Sequence, residues 1–219
     1  MCGAPPEAEA LMNVDAERRL EFLATTFDRE THALGTWSLV FGGSTAVIAA
    51  AETTASFALR DYDLRVDAAI AASVATIGSA SFWLLPLRIS VPLRQARARW
   101  SEPDRCSVLA NAEATLASAD DDERLAHGPL AHVGIVLVNG GALLLAGLGY
   151  GHWTTGVLDA VGGIAVGELA TLTQPAHLHA ARARYDAGDL GPAPSAALTW
   201  SIAPRITPTT AGVSLAVLW

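Results

Sequence analysis

Polar side chains capable of acid–base chemistry interrupt two long apolar stretches in the second half of the chain. His132 and Asn139 lie in a stretch without any Asp, Glu, Lys or Arg, and Asp159 and Glu168 lie in the stretch that follows it. Polar groups inside membrane-length apolar segments usually face protein or water and are functional candidates. A histidine beside a glutamate can relay a proton or bind a metal ion. These four residues therefore form the first candidate site.

A helical hairpin would bring part of this set together. If the two stretches are antiparallel helices, His132 lies at about the depth of residues 169–170 and therefore near Glu168. Asn139 follows His132 by seven residues and shares its helical face. Asp159 points away from Glu168 and lies nearer the turn. In the alternative interpretation, His132 and Glu168 are hydrated structural residues at the membrane interface.

Other chemistry finds little support in the sequence. The net charge of −8 gives no electrostatic support for a nucleic-acid partner. His177 and His179 diverge by roughly 200° on a helix and form no ligand pair. The charged run 120–124 is interpreted as a solvated helix face plus a capping region, because it lacks the Gly-centred turn of a calcium loop. No phosphate-binding, dinucleotide, nucleophile-elbow or zinc-protease motif occurs. We predict no metal and no cofactor, and the balance favours a protein that is not an enzyme.

Four apolar segments must position these residues. The chain is 51% hydrophobic and only 16% charged, against about 25% charged residues in ordinary soluble domains. A helix of about 20 apolar residues crosses the hydrocarbon core of a bilayer. We predict membrane spans at about 34–59, 66–90, 129–149 and 154–173. Asp159 and Glu168 make the fourth span the weakest, and Pro86 is expected to kink or end the second. A soluble bundle with buried hairpins is the alternative.

The two halves of the chain share an internal repeat. Both contain a Gly-Gly pair mid-way along the first hairpin arm, at 42–43 and 140–141, and both end in an Ala-Arg-Ala-Arg-aromatic sequence, at 96–100 and 181–185. The predicted fold class is therefore mainly all-α, with two duplicated transmembrane helical hairpins flanked by amphipathic helices. The predicted regions are a loose N-terminus (1–13), repeat 1 (14–105), repeat 2 (106–187) and a Pro-rich linker with a β-hairpin (188–219).

The C-terminal region has a different pattern. Alternating apolar residues on either side of a Pro/Thr/Gly connection predict a short β-hairpin within 198–219. A lone hairpin is marginally stable in water. We therefore expect it to dock on the helices, to pair with another copy in a homo-oligomer, or to add to the sheet edge of a partner protein.

The basic residues and the cysteines give opposite indications of location. All 14 basic residues are Arg, and the predicted spans place twelve of them on the side of both termini, with only Arg60 and Arg65 opposite. The positive-inside rule then places both termini in the cytoplasm of a bacterial inner membrane. Cys2 begins a sequence typical of a mature bacterial lipoprotein, so its lipidation in the envelope is the alternative. Cys106 is expected to be a small apolar filler, because the two cysteines have no framework spacing.

The combination resembles uncharacterised bacterial four-helix membrane proteins with a C-terminal β-hairpin. The segments that carry the resemblance are 64–68, 131–141, 167–175 and the C-terminal hairpin. The resemblance implies an architecture and no activity. The expected function is a structural or assembly component of the cell envelope, with membrane lipid as a partner. The alternatives are a small transporter or channel-like protein, and a membrane enzyme with a polar site between the third and fourth spans.

Overall fold

A computed structural model of the chain describes Cys2, residues 9–191, and the backbone of residues 199–207 and 210–218. Residues 9–191 are helical apart from short connections. The α-helices are α1 (Ala16–Ala58), α2 (Tyr62–Ala98), α3 (Arg105–Ala126), α4 (Pro129–Leu144), α5 (Trp153–Thr173) and α6 (Leu178–Asp186). A 3-10 turn, Glu9–Leu11, precedes α1, another, Arg99–Ser101, follows α2, and α4 ends in a π-helical turn, Leu145–Gly149.

Local sequence explains where several helices begin. The Asp61 side chain accepts a hydrogen bond from the Leu64 amide at the start of α2, and the Asp104 side chain accepts from two amides at the start of α3. These contacts satisfy amide groups that have no partner within the helix. Pro129 occupies the first turn of α4, where its missing N–H costs nothing. Gly151, with φ of 80°, forms the tight turn before α5.

One hydrophobic core holds together the parts of the molecule richest in charge. We call this part the surface layer; it comprises residues 9–34, residues 88–98, α3 and α6. The core contains sixteen buried residues, among them the fully buried Leu23, Leu34 and Leu93. Phe27 packs edge-on against Trp100. The amphipathic pattern of residues 14–33 therefore faces other helices of the surface layer.

The remaining helical segments, residues 35–87 and 129–173, have the opposite distribution of apolar groups, and we call them the membrane segments. Large hydrophobic side chains are exposed along their whole length, including Phe57, Leu137 and Leu172. Among the described residues, Met12 and Leu125 are the exceptions, since every other exposed large hydrophobic side chain lies in a membrane segment. Four helices of the described chain are long and apolar enough to cross a membrane, namely Ala16–Ala58, Tyr62–Ser101, Pro129–Gly149 and Trp153–Asp186.

Small residues bring the helices of the second hairpin close together. Gly156, Gly163 and Gly167 of α5 lie against side chains of α4. A β carbon added to Gly167 would lie 2.8 Å from Cγ2 of Ile135. Such close approach replaces the hydrophobic driving force that is missing between helices in lipid. The two hairpins meet where the Trp37 indole donates a hydrogen bond of 3.2 Å to the Ala170 carbonyl.

Proline has different consequences in the two halves. The sequence predicts that Pro86 kinks or ends the second span. An end at Pro86 is wrong, because α2 continues through Pro86 and Pro92 to Ala98. Ile89 and Leu93 are buried in the core of the surface layer, and this packing offsets the lost backbone hydrogen bonds. In the second half the chain leaves helix α5 at Gln174, before Pro175. The duplication and its boundaries stay a prediction.

The backbone beyond residue 191 is described in two segments. Strands β1 (Thr199–Thr207) and β2 (Thr210–Leu218) pair in antiparallel register, with Thr199 opposite Leu218. The turn residues 208–209 and all side chains of 192–219 lie outside the described residues. Docking of the predicted hairpin on the helices, on another copy or on a partner therefore stays a prediction. The loose N-terminus over 1–13 also stays a prediction, because most of it lies outside the described residues.

A disulfide bond joins Cys2 to Cys106, 104 residues apart in the sequence. The interpretation of Cys106 as an apolar filler is therefore wrong. The spacing of the two cysteines does not predict this pairing, because only the tertiary fold brings the N-terminus to the start of α3. The bond also engages the sulfur atom that lipidation of Cys2 would need, and that lipidation stays a prediction.

Candidate functional site

The first polar pair lies between α4 and α5, one to two turns from the surface layer. Nδ1 of His132 is 2.6 Å from Oε2 of Glu168. The side chains are 40% and 32% exposed, respectively. The expected proximity of these two residues is therefore present in the structure, and so is the partial exposure that the interfacial interpretation requires. Their role in chemistry stays a prediction.

Asn139 is buried in the contact between α4 and α5. Its Nδ2 donates a hydrogen bond of 2.8 Å to the Ile135 carbonyl in its own helix. Its Oδ1 lies against Gly163, where an added β carbon would come within 1.8 Å of it. Asn139 therefore packs and braces the hairpin, and its hydrogen bond is to backbone and not to His132 or Glu168.

Asp159 belongs to a second group, at the opposite end of the hairpin. It lies close enough to Asp67 of α2 for the two carboxylates to interact electrostatically. Asp67 in turn contacts Nδ1 of His152 at 2.6 Å, and Asp63 lies 3.5 Å from Nε2 of the same ring. The expected separation of Asp159 from Glu168 is present in the structure. The structure adds His152, which the sequence placed only in the turn.

The His152 contacts link the two hairpins at their turn ends, because His152 lies between the third and fourth spans and both aspartates lie in the first two turns of α2. The hydrogen bond from His152 to Asp67 raises the pKa of the imidazole above its ordinary value of 6.5, partial desolvation opposes the shift, and the charges of Asp67 and Asp63 support it. A protonated imidazole can donate from both ring nitrogens, which suits the two aspartates. This arrangement is an electrostatic connection between the α4–α5 turn and the start of α2.

A third group is buried where the surface layer meets the membrane segments. Glu30 of α1 is 1% exposed, and its Oε2 lies 3.1 Å from Nδ1 of His177. Its Oε1 and the Nε2 of Gln174 are buried without a hydrogen-bond partner in the described part of the chain. His127 approaches the Gln174 carbonyl at 3.4 Å. Such unpaired buried atoms are costly, and they mark this junction as a polar site that the sequence did not reveal.

Glu123 organises the same junction. Its carboxylate accepts hydrogen bonds from the Leu178 and His179 amides at 2.9 and 3.2 Å, so a side chain of α3 caps the start of α6. Burial raises the pKa of the Glu123 carboxyl, the two amide hydrogen bonds oppose that shift, and the nearby charge of Glu30 adds to it. A carboxylate at a helix N-terminus is favoured by the helix dipole.

The charged run 120–124 is less solvated than expected. Asp120 is completely buried, with Arg124, Arg182 and His179 each 3.2 Å away. The interpretation of a solvated face is thus wrong for Asp120 and for Glu123. His177, the residue before α6, contacts Glu30, whereas His179, in the first turn of α6, contacts Asp120.

The surface layer has a further buried polar contact far from the membrane segments. Arg19, 0% exposed, donates from Nε to the Tyr185 hydroxyl at 3.0 Å and forms an ion pair with Glu113. The Tyr185 hydroxyl also donates to Glu113. This triad ties α1, α3 and α6 together, and a buried ion pair that is well hydrogen-bonded favours one specific packing.

These arrangements can hold protons and join helices, but they do not converge on one reaction centre. In the described ranges, no group of three or more His, Cys, Asp or Glu side chains is arranged to hold a metal ion. The pairs lie at the two ends of the α4–α5 hairpin and at the junction with the surface layer. No protein-family model, curated protein or solved structure matches this chain, so its resemblance to bacterial four-helix membrane proteins names no family.

Proposed function

We propose that the protein is a non-enzymatic integral membrane protein of the cell envelope, whose membrane segments anchor the surface layer as a platform for assembly. The observation that carries the proposal is that, among the described residues, almost all exposed large apolar side chains lie on the membrane segments, whereas those of the surface layer are mostly buried. The exposed apolar surfaces need lipid around them. The surface layer, joined by its core, the disulfide and the Arg19 triad, buries most of its large apolar side chains and suits an aqueous environment.

A transporter, a channel-like protein or a membrane enzyme is the second candidate function. The specific observation in its favour is the 2.6 Å contact between His132 and Glu168, which could pass a proton. Transporter sites, however, lie near the bilayer midplane. This pair lies one to two turns from the end of its helices, and Asn139 bonds to its own backbone. The anchored platform therefore has the better support.

The disulfide also bears on which side of the membrane carries the surface layer. Disulfides persist in oxidising compartments and are rare in the cytosol, so the bond between Cys2 and Cys106 supports the outer side. The arginine distribution supports the cytoplasmic side. We give the bond more weight, because the charge rule describes short loops and folded domains translocate largely regardless of their charge. The proposal therefore places both termini outside the cytoplasm.

Single-cysteine labelling tests this orientation. In a chain with both native cysteines replaced by serine, Asp121→Cys marks the surface layer and Tyr62→Cys, 66% exposed, marks the opposite turn. A membrane-impermeant maleimide added to intact spheroplasts is expected to label the first variant and to spare the second. The reverse pattern would place the surface layer in the cytoplasm and overturn this part of the proposal.

The assembly role predicts a complex that depends on the C-terminal region. Native electrophoresis of gently solubilised membranes is expected to show a species well above the 22.7 kDa chain, and removal of residues 192–219 should reduce it to the monomer. Glu168→Gln, which keeps the side-chain shape, is expected to leave the complex intact. If the full chain and the truncated chain are both monomers, and Glu168→Gln loses proton-dependent solute uptake, the transporter is favoured instead.

A further inference from the structure

A groove of about 280 Å³ lies where residues 85–88 of α2 meet the junction of α3 and α4. Leu85, Leu125 and Leu130 contribute its apolar lining, and its charged lining residues are Arg88 and Asp122. Arg88 is the first charged residue after the charge-free stretch of α2, and Leu130 lies in the first turn of α4. The groove therefore lies at the level where acyl chains meet lipid headgroups.

The leucines of the groove have no cover within the described chain. Leu85, Leu125 and Leu130 are 40%, 49% and 70% exposed, respectively. Among the described residues, Leu125 is one of two exposed large hydrophobic residues outside the membrane segments. An acyl chain in the groove would remove the exposed surface of Leu125 from water, which is favourable. It would also extend the lipid-facing surface of α2 and α4 toward the surface layer.

The charged pair beside the leucines presents both signs of charge. Nη2 of Arg88 lies 3.0 Å from Oδ1 of Asp122, and the Arg88 side chain is 60% exposed. This contact uses one guanidinium nitrogen, and a guanidinium has five N–H donors that suit a phosphate. Asp122 is the one carboxylate among the residues that line the groove. A ligand that fits this edge carries a phosphate and an ammonium group.

We propose that the groove is a binding site for a phospholipid with an ethanolamine-type headgroup. Its acyl chain covers Leu85, Leu125 and Leu130, its phosphate accepts hydrogen bonds from Arg88, and its ammonium group donates to Asp122. An anionic headgroup without an ammonium is disfavoured, because it leaves Asp122 without a partner and is repelled by its charge. The proposal rests on the membrane location given under the proposed function, and is independent of the assembly role.

Binding to the purified full chain in a maltoside detergent tests the site. Native mass spectrometry with added dioleoylphosphatidylethanolamine or dioleoylphosphatidylglycerol gives the apparent affinity for each lipid. We expect the ethanolamine lipid to bind about tenfold more tightly, as the gain or loss of one charge-assisted hydrogen bond implies. Arg88→Gln should lose about tenfold in affinity for both lipids, and Arg94→Gln, an exposed arginine of the same helix, is the matched control and should bind like the wild type.

Two further variants separate headgroup recognition from the groove itself. Asp122→Asn should reduce the preference for the ethanolamine lipid, and Ala131→Leu, which fills the groove, should weaken both lipids while the Arg88 charge remains. Equal affinity for both lipids in the wild type, or unchanged binding by Arg88→Gln, would overturn the proposal. Membrane fractionation of Arg88→Gln keeps the two proposals distinguishable, since loss of the lipid site leaves the anchoring helices and hence the membrane fraction unchanged.

Discussion

Replacement of Gly167 by alanine tests the close packing of the second hairpin. A β carbon there would lie 2.8 Å from Cγ2 of Ile135, with Cγ1 and Cδ1 at 3.1 and 3.2 Å. The χ1 angle of a β-branched residue is fixed in a helix, so Ile135 cannot turn away and α4 must separate from α5. Gly162 is the matched control on the same helix, since an added β carbon there meets no described atom within 4 Å.

The magnitude follows from two opposing effects. Alanine favours a helix over glycine by about 0.8–1.0 kcal/mol, and both variants gain this amount. Overpacking costs roughly 1–3 kcal/mol, and only Gly167→Ala incurs it. The free energy of unfolding should therefore differ between the two variants by about 1–3 kcal/mol, or roughly 5- to 140-fold in the unfolding equilibrium.

Unfolding of the purified protein by SDS in mixed micelles, followed by tryptophan fluorescence, measures this difference. In an Ile135→Ala background, which removes the γ carbons, Gly167→Ala should lose most of its cost. Equal stability of Gly167→Ala and Gly162→Ala would refute the close packing of the hairpin. An undiminished cost in the Ile135→Ala background would show that the contact responsible is a different one.

His152, in the turn between the third and fourth spans, and Glu123, in the surface layer, give two further predictions. Asp67 raises the pKa of His152 above 6.5 in the folded protein. The stabilisation from protonated His152 is therefore complete below pH 6.5 and is lost as the pH rises through the higher folded-state pKa. The midpoint of chemical unfolding should fall as the pH rises in the wild type and should change less in His152→Gln. Glu123→Ala removes the cap of α6, including the hydrogen bond to the Leu178 amide, and should cost about 2–3 kcal/mol. The exposed Asp121→Ala is its control, and an equal effect of both on chemical denaturation would contradict the capping role.

The sequence could predict features that depend on local pattern. Runs without charge predicted the spans, and the four membrane-length helices of the structure confirm that coarse prediction. The depth relation across a tight hairpin placed His132 beside Glu168, because a short turn leaves little freedom in the register of two antiparallel helices. The positions of residues along this one hairpin were therefore sufficient to predict that His132 lies near Glu168.

Contacts between segments that are far apart in the sequence could not be predicted from local pattern. The disulfide joins residues 104 apart, and the buried contact between Glu30 and His177 joins α1 to the connection before α6. Asp120 looked solvated because its neighbours in sequence are charged, yet Arg182 and His179 of α6 cover it. The packing of the surface layer decides all three, and this packing joins helices from both halves of the chain.

The central claim is that the exposed apolar surfaces of residues 35–87 and 129–173 lie in a lipid bilayer. Fractionation of cells that express the full chain, with an alkaline carbonate wash and no detergent, tests it most directly. The protein is predicted to remain in the membrane pellet after the wash and to be released only by detergent. A monomer in the carbonate supernatant would contradict the claim.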